Sequence, residues 1–392
     1  MLVREKVKQA KELLKEFNID CWITFVRESK VCGDPMCDYV VGKDMTWHSA
    51  FVITKAGKTY AIVGKYEAKI VEETQAYDNV IGYVEGIKKD IQDLIKEINP
   101  GTIALNYSEG SYICDGITHG MFLTMKSYLS EIGFEDRIVS ADKIISALRG
   151  RKSDFEIDNI KKAVDHTVEI YDELASYMKS GMTENDVRNF ILEKISAKNL
   201  PTAWDQESCP AVYSGPDTAE AHYKATDRII EPGHVVNMDF GVKYNDYCSD
   251  IQRTYYIRKE GEDKAPEDVQ KAFDLIRKVV DDAKNAMKPG VKGIEIDTLV
   301  RTKIVEAGYP EYPHGLGHQV GRFSHDGNAL LGPAWEKYAQ QPFLPLEAGM
   351  VFTIEPRVTV EGKGVVTIEE MVVVTEDGCE WLSKPQIELY LV

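Results

Sequence analysis

The sequence predicts an α/β (α+β) fold in two domains, a small one over residues 1–150 and a larger one over residues 151–392. Three observations point there. Helix and strand patterns alternate through the first 150 residues, a helix-start signal follows at once, and the remainder repeats a helix pair followed by extended segments. From about Glu5 to Phe17 the apolar spacing predicts an amphipathic helix, and Cys21–Val26 reads as a strand. Ala50–Thr54 and Thr59–Val63, joined through Lys-Ala-Gly-Lys, predict a hairpin, and Thr102–Leu105 a further short strand. The boundary is expected near residue 150, because Ser153 and Glu156 form a capping box that opens a long helix. Its apolar stripe is Ile157, Ile160, Val164, Val168, Tyr171 and Leu174. Lys179-Ser-Gly-Met and Lys288-Pro-Gly-Val each place Lys-x-Gly-apolar between two helices, and extended segments follow at 235–241 and 247–257, then at 350–355 and 365–374. Duplicated halves are the expectation, with a site at their junction.

Composition narrows the function classes. With 47 basic against 64 acidic residues and a formal net charge of -17, neither nucleic acid nor an anionic membrane is expected as a partner. The first residues hold no apolar signal core, and no stretch approaches the ~18 apolar residues of a membrane span. A cytoplasmic protein is expected. The seven cysteines are odd in number and scattered, which argues against a disulfide framework.

The chemistry concentrates in five potential metal ligands: Asp239, Asp250, His318, Glu355 and Glu369. Four carboxylates converging on one point need cations, since uncompensated buried charge costs several kcal/mol per group. A hairpin is expected between Val-Val-Asn-Met-Asp-Phe-Gly and Asp-Ile-Gln-Arg-Thr-Tyr-Tyr-Ile. If its turn is centred on Tyr244 and Asn245, residues whose numbers sum to 489 face each other, and Asp239 stands directly opposite Asp250. Two like charges there call for a bridging ion. A single acid in a strand ordinarily sits on the solvated face; five in one set do not.

The ordered motifs Met-Asp-Phe-Gly, Ser-Asp-Ile-Gln-Arg-Thr, His314-Gly-Leu-Gly-His318, Thr-Ile-Glu355-Pro and Thr-Ile-Glu369-Glu resemble those of the pita-bread metallopeptidases. These include aminopeptidase P, prolidase, methionine aminopeptidase and their relative creatinase. The motifs cover about residues 150–392, and the extra N-terminal domain is similar to that of the aminopeptidase P, prolidase and creatinase branch. The resemblance implies a C-terminal pita-bread domain with a pseudo-twofold repeat, a homodimer and a peptide substrate. It implies a binuclear site in which Asp239 chelates one ion, Asp250 and Glu369 bridge both, and His318 with Glu355 hold the other. The same pattern selects Glu369 over its neighbour Glu370, which is expected to face outward or to support the ligands from behind. His222 and His325 match family histidines that handle substrate and protons, and His314 one that shapes the site.

The resulting expectation is hydrolysis of the N-terminal Xaa-Pro bond of peptides or dipeptides. Two divalent cations lower the pKa of a shared water towards 7, giving a bridging hydroxide, with Glu355 as its proton acceptor. The oxygen-rich donor set favours manganese, with cobalt, zinc or iron able to substitute. One departure stands out: family members that cleave before proline often carry an arginine two residues before the final glutamate, where this chain has Thr367. Thr367 is therefore a candidate substrate-side residue, and so is the aromatic, proline-rich stretch Leu331–Leu346. A creatinase-like hydrolase of small C–N substrates, which in that family works without metals, is one rival. A non-catalytic peptide-binding module on the same fold is the other. All five ligands being present argues against both.

Overall fold

The structure is a computed structural model that describes residues 2–216 and 224–392. The chain divides into two compact units, Met1–Arg149 and Gly150–Val392.

In the first unit, helix α1 (Leu2–Glu16) leads into β1 (Cys21–Val26), β2 (Ser49–Thr54) and β3 (Thr59–Gly64). Helix α2 (Ala68–Glu72), β4 (Asn79–Tyr83), α3 (Lys88–Ile98), β5 (Ile103–Leu105), α4 (His119–Ser130), β6 (Ile138–Ser140) and α5 (Asp142–Gly150) follow. The six strands form one sheet in the order β4-β3-β2-β1-β5-β6. The expected hairpin is present, with Ile53 opposite Thr59, while β5 and β4 add in parallel to β1 and β3. Both faces are covered. Trp22, Phe51 and Val63 belong to one apolar cluster and Ile23, Val52 and Ile62 to the other, which explains why these strands read as continuous apolar runs.

The second unit opens with α6 (Asp154–Tyr177), capped as expected by Ser153 and Glu156, and α7 (Glu184–Ala197). The buried face of α6 is centred one residue off the expected stripe: Ala163, Thr167 and Ile170 are buried, whereas Ile157 and Val168 are only partly so. Strands β7 (Ala211–Ser214), β8 (Val235–Phe240), β9 (Lys243–Tyr244), β10 (Tyr247–Cys248) and β11 (Ile251–Tyr256) come next. After α8 (Glu267–Ala286) and α9 (Gly293–Glu306) come β12 (Gly317–His318), β13 (Leu330–Leu331), β14 (Val351–Ile354) and β15 (Arg357–Val360). The chain closes with β16 (Gly364–Thr367), β17 (Glu370–Val374), β18 (Cys379–Trp381) and β19 (Tyr390–Leu391).

The repeat is visible in backbone geometry. Helices α6 and α8 both end at an extended methionine, Met178 and Met287; Gly181 and Gly290 both adopt φ 87°; and α7 and α9 each carry an acid as third residue, Asp186 or Glu295, folded back onto the N-cap backbone. Apolar faces of α8 and α9 then bury against β14, β15 and β16 in one core that includes Phe273, Ile276, Val300, Phe352, Ile354 and Val366.

The hairpin register differs from the expected one. Asn245 and Asp246 carry φ of 47° and 68°, so they are the two central residues of the turn, as a tight right-twisted hairpin requires. Tyr247 therefore pairs with Tyr244, and Asp239 faces Gln252 rather than Asp250. The shift is two residues, which preserves the pleat and leaves both aspartates on the same face.

Candidate metal centre

Three of the five candidate ligands sit where a strand breaks and changes partner. Asp250 lies in the gap between β10 and β11, Glu355 between β14 and β15, and Glu369 between β16 and β17. β16 pairs with β15 but β17 pairs with β14, so the chain turns its direction of pairing at Glu369, whose amide donates to the Gln252 carbonyl at 3.2 Å. Breaks of this kind release a side chain from the regular pleat. Asp239 stays within β8, partly buried.

His318 is delivered by a close approach of backbones. A side chain at Gly317 would place its Cβ 2.0 Å from the Thr353 carbonyl oxygen, so only glycine lets this segment lie along β14. Glu355 then donates its amide to Leu316 O at 2.8 Å, and the His318 amide donates to Thr353 Oγ1 at 3.1 Å. The result is convergence. His318 Nε2 lies 3.5 Å from Glu355 Oε1 and 3.8 Å from Asp250 Oδ2, and one ligand atom each from Asp250, His318 and Glu369 falls within a mutual 4.8 Å. The charges of Asp239 and Glu355 are felt by both Asp250 and Glu369.

Burial governs the protonation of this cluster. It pushes Asp239 up to about 7 and holds Asp250, Glu355 and Glu369 well above the ordinary carboxylate range, with mutual repulsion adding to the effect on those three. Burial, helped by the neighbouring His325, holds His318 well below the usual imidazole value, leaving it neutral and able to donate a lone pair. Asp239 Oδ1 and Glu369 Oε2 are buried with no hydrogen-bond partner among the described residues. Orphaned carboxylate oxygens beside a neutral imidazole are what divalent cations satisfy, so the residues fit divalent ions of the hard or borderline class.

His325 is exposed, with its ring centroid 4.2 Å from that of His318 and nearly perpendicular to it. His314 is half-buried; its Nδ1 lies 2.8 Å from Gly315 O, and burial lowers its pKa to about 4, with Arg357, Arg301 and Lys337 acting in the same direction. His222 lies outside the described residues. Thr367 is buried, its amide donating to Thr254 Oγ1 at 3.1 Å and its Oγ1 unpartnered among the described residues.

Glu370 does not face outward. It is fully buried, 3.1 Å from Arg253, and accepts hydrogen bonds from Ser383 Oγ and the Gln386 amide. Arg253 also donates to the carbonyl of Glu369 at 3.1 Å, so this pair holds the ligand's backbone from the far side of the strand. Nothing in the alternation of β11 distinguished Arg253 from a solvated arginine. Tyr171 was legible only as part of a helix stripe, yet its hydroxyl lies 2.9 and 2.8 Å from the carbonyls of Met238 and Ile251 and pins β8 to β11. Glu370→Gln leaves Arg253 buried and uncompensated and is expected to lower stability by about 3–5 kcal/mol. An unchanged denaturation midpoint would contradict this.

The Leu331–Leu346 stretch packs behind the His314–His318 segment. Tyr338 OH accepts from the Gly315 amide at 3.0 Å and stacks with Trp335, while Arg301, paired with Asp297, lies over the Trp335 ring and donates to the His314 carbonyl at 2.8 Å.

The model of metallopeptidase family M24 matches residues 158–376, more than half the chain. The chain belongs to this family. An uncharacterized peptidase of Staphylococcus saprophyticus is 35% identical over 243 residues, which is 62% of this chain and 65% of that protein. Among solved structures, the X-Pro aminopeptidase of Thermotoga maritima is 25% identical with a TM-score of 0.72, covering 98% of this chain and 99% of its own. The Xaa-Pro dipeptidase of Bacillus anthracis superposes with a TM-score of 0.74 at 24% identity, covering 99% of both chains. This M24 member thus has the pita-bread fold behind an N-terminal α/β unit, and M24 membership implies divalent metal ions at the candidate centre. Among the described residues no helix is long and apolar enough to cross a membrane.

Proposed function

We propose that this chain is a two-metal exopeptidase that hydrolyses the Xaa-Pro bond at the N-terminus of peptides or dipeptides. The observation that carries this reading is the clustering of the carboxyls of Asp250, Glu355 and Glu369 around the neutral His318, with buried oxygens of Asp239 and Glu369 left unpartnered among the described residues. The choice of bond is supported by the likeness to the X-Pro aminopeptidase of Thermotoga maritima. In this reading Asp239, Asp250, His318, Glu355 and Glu369 would hold the ions; the single imidazole among carboxylates favours manganese. When bound, the pair supplies Lewis acidity to the scissile carbonyl and lowers the pKa of water towards 7.

The chain's own groups do the rest. Glu355, whose carboxyl is raised by burial and by the charge of Asp239, is a proton acceptor suited to neutral pH. His325, exposed beside His318, donates a proton to the leaving nitrogen, and His222 hydrogen-bonds the developing oxyanion. His314 and Thr367 shape the substrate side. The test is a panel of Xaa-Pro dipeptides, Xaa-Pro-Xaa peptides and matched peptides with alanine second, assayed with and without manganese. Release of the first residue only when proline follows it, and only with metal, is expected. Indifference to the second residue, or metal-free hydrolysis of creatine in its place, would contradict the reading.

A further inference from the structure

Residues Tyr312–Leu316 lead into β12 but belong to no strand, and the chain bends at Pro313, His314 and Leu316, so no ladder fixes them. Side chains do that work instead. Arg301 Nη1 donates to the Tyr312 carbonyl at 2.7 Å and Nη2 to the His314 carbonyl at 2.8 Å, spanning Pro313. Asp297 Oδ1 accepts from the Leu316 amide at 3.2 Å, and Tyr338 OH from the Gly315 amide at 3.0 Å. The His314 carbonyl and the Gly315 amide are the two edges of one planar peptide unit. Arg301 and Tyr338 therefore pin that plane from opposite sides.

Arg301 and Asp297, four apart on α9, are both buried and joined by two hydrogen bonds of 2.9 Å. Apolar side chains of like volume ordinarily stabilise a fold as well as a buried ion pair does, so the reason for this one lies in what the guanidinium holds. Its Cζ is 4.0 Å from the centre of the Tyr312 ring and 5.3 Å from that of Trp335, which stacks on Tyr338. One cation thus joins the aromatic Leu331–Leu346 stretch to His314. The His314 ring depends on the pinned plane, because its Nδ1 lies 2.8 Å from Gly315 O. A carbonyl only accepts, so Nδ1 carries the proton and the neutral ring has only the Nε2 lone pair to offer a substrate. We propose that Arg301 is a positioning residue for the reaction, acting through His314: with Tyr338 it pins the His314–Gly315 peptide and so fixes which imidazole nitrogen is offered to the substrate. The proposal rests on the peptidase reading above and deepens it. A lysine would keep the charge, but its donors radiate from one point and cannot span Asp297 and two carbonyls.

The experiment is a double-mutant cycle on Ala-Pro hydrolysis by the manganese-loaded full chain, joined to a spectroscopic reading of His314. Arg301→Lys is expected to keep its metal and lose about 10²-fold in kcat/KM, the effect of a small misplacement of a substrate-side group. In a His314→Ala background the same change should leave the remaining rate within about twofold. Tyr338→Phe, which removes the acceptor of the Gly315 amide and keeps the aromatic stack, should lose about 5-fold, again only while His314 is present; it serves if Arg301→Lys does not fold or loses metal. Equal losses with and without His314, or no loss in either variant, overturn the proposal. Nitrogen NMR of histidine-labelled protein, with zinc in place of paramagnetic manganese and His314→Ala to assign the signal, should show a single Nδ1–H tautomer at His314 in the wild type and a mixture in Arg301→Lys or Tyr338→Phe. The same tautomer in wild type and variants overturns it too. If Ala-Pro is not hydrolysed at all, the peptidase reading has failed, and the tautomer comparison alone decides whether Arg301 sets the His314 ring.

Discussion

Asp250→Ala and Glu369→Ala are each expected to abolish two-ion occupancy and lower turnover by about 10³-fold or more, beyond the 10–100-fold that loss of a supporting contact costs. Both residues sit at the centre of the cluster. Asp250 Oδ2 lies 3.8 Å from His318 Nε2 and its carboxyl feels the charges of Asp239 and Glu355, and Glu369 feels the charges of all three other carboxyls. Removing either one leaves each ion an incomplete set of donors. The apo fold should respond in the opposite direction: deleting one of four crowded buried acids relieves repulsion, so the metal-free variants should be no less stable than the metal-free wild type. Metal analysis with peptide assay checks the first statement and thermal unfolding in chelator the second. Variants that keep two ions and near-normal rates would show that the cluster is not the metal centre.

The second large effect separates ligands from proton handlers. His325→Ala is expected to keep its metal and lose about 10²–10⁴-fold in turnover, the usual weight of acid–base assistance, whereas His318→Ala should lose metal affinity first. The structural basis is the difference between the two rings. His318 Nε2 points among carboxylate oxygens, 3.5 Å from Glu355, while His325 meets its ring edge from an exposed position. Because the rings are in contact, His325→Ala also removes a neighbour that helps keep His318 neutral, so its pH–rate profile should change in shape as well as height. Equal loss of metal in both variants would collapse the distinction.

Much of this was written in local sequence. The first strand, the hairpin after it and the capping box at Ser153 depend on neighbours within a few residues, and each appears where the pattern put it. The five-ligand set was legible through spacing and order; the structure places ligand atoms of Asp250, His318 and Glu369 within a mutual 4.8 Å and Glu355 3.5 Å from His318. What the sequence left unresolved required knowledge of pairing. The turn was misplaced because Tyr244-Asn245 and Asn245-Asp246 are both plausible turn pairs, and only the left-handed backbone at Asn245 and Asp246 distinguishes them. The choice for Glu370 between an outward acid and one supporting the ligands from behind stayed open because nothing near it in sequence announces Arg253, its partner from another strand. The Leu331–Leu346 stretch stands out in sequence for its aromatics, whereas its attachment to the Gly315 amide through Tyr338 is a property of the fold alone.

The measurement that bears most directly on the proposed two-metal peptidase activity is a manganese titration of the metal-free protein at pH 6 and pH 8, followed by assay of Ala-Pro hydrolysis at each step. Burial raises Asp239 to about 7 and the other three carboxyls above their ordinary range, so at pH 6 the site holds protons that an incoming ion must displace. The expected result is two ions per chain, tighter binding at pH 8 than at pH 6, and activity that rises with occupancy and vanishes on chelation. Hydrolysis that persists at full rate after exhaustive metal removal would contradict the account.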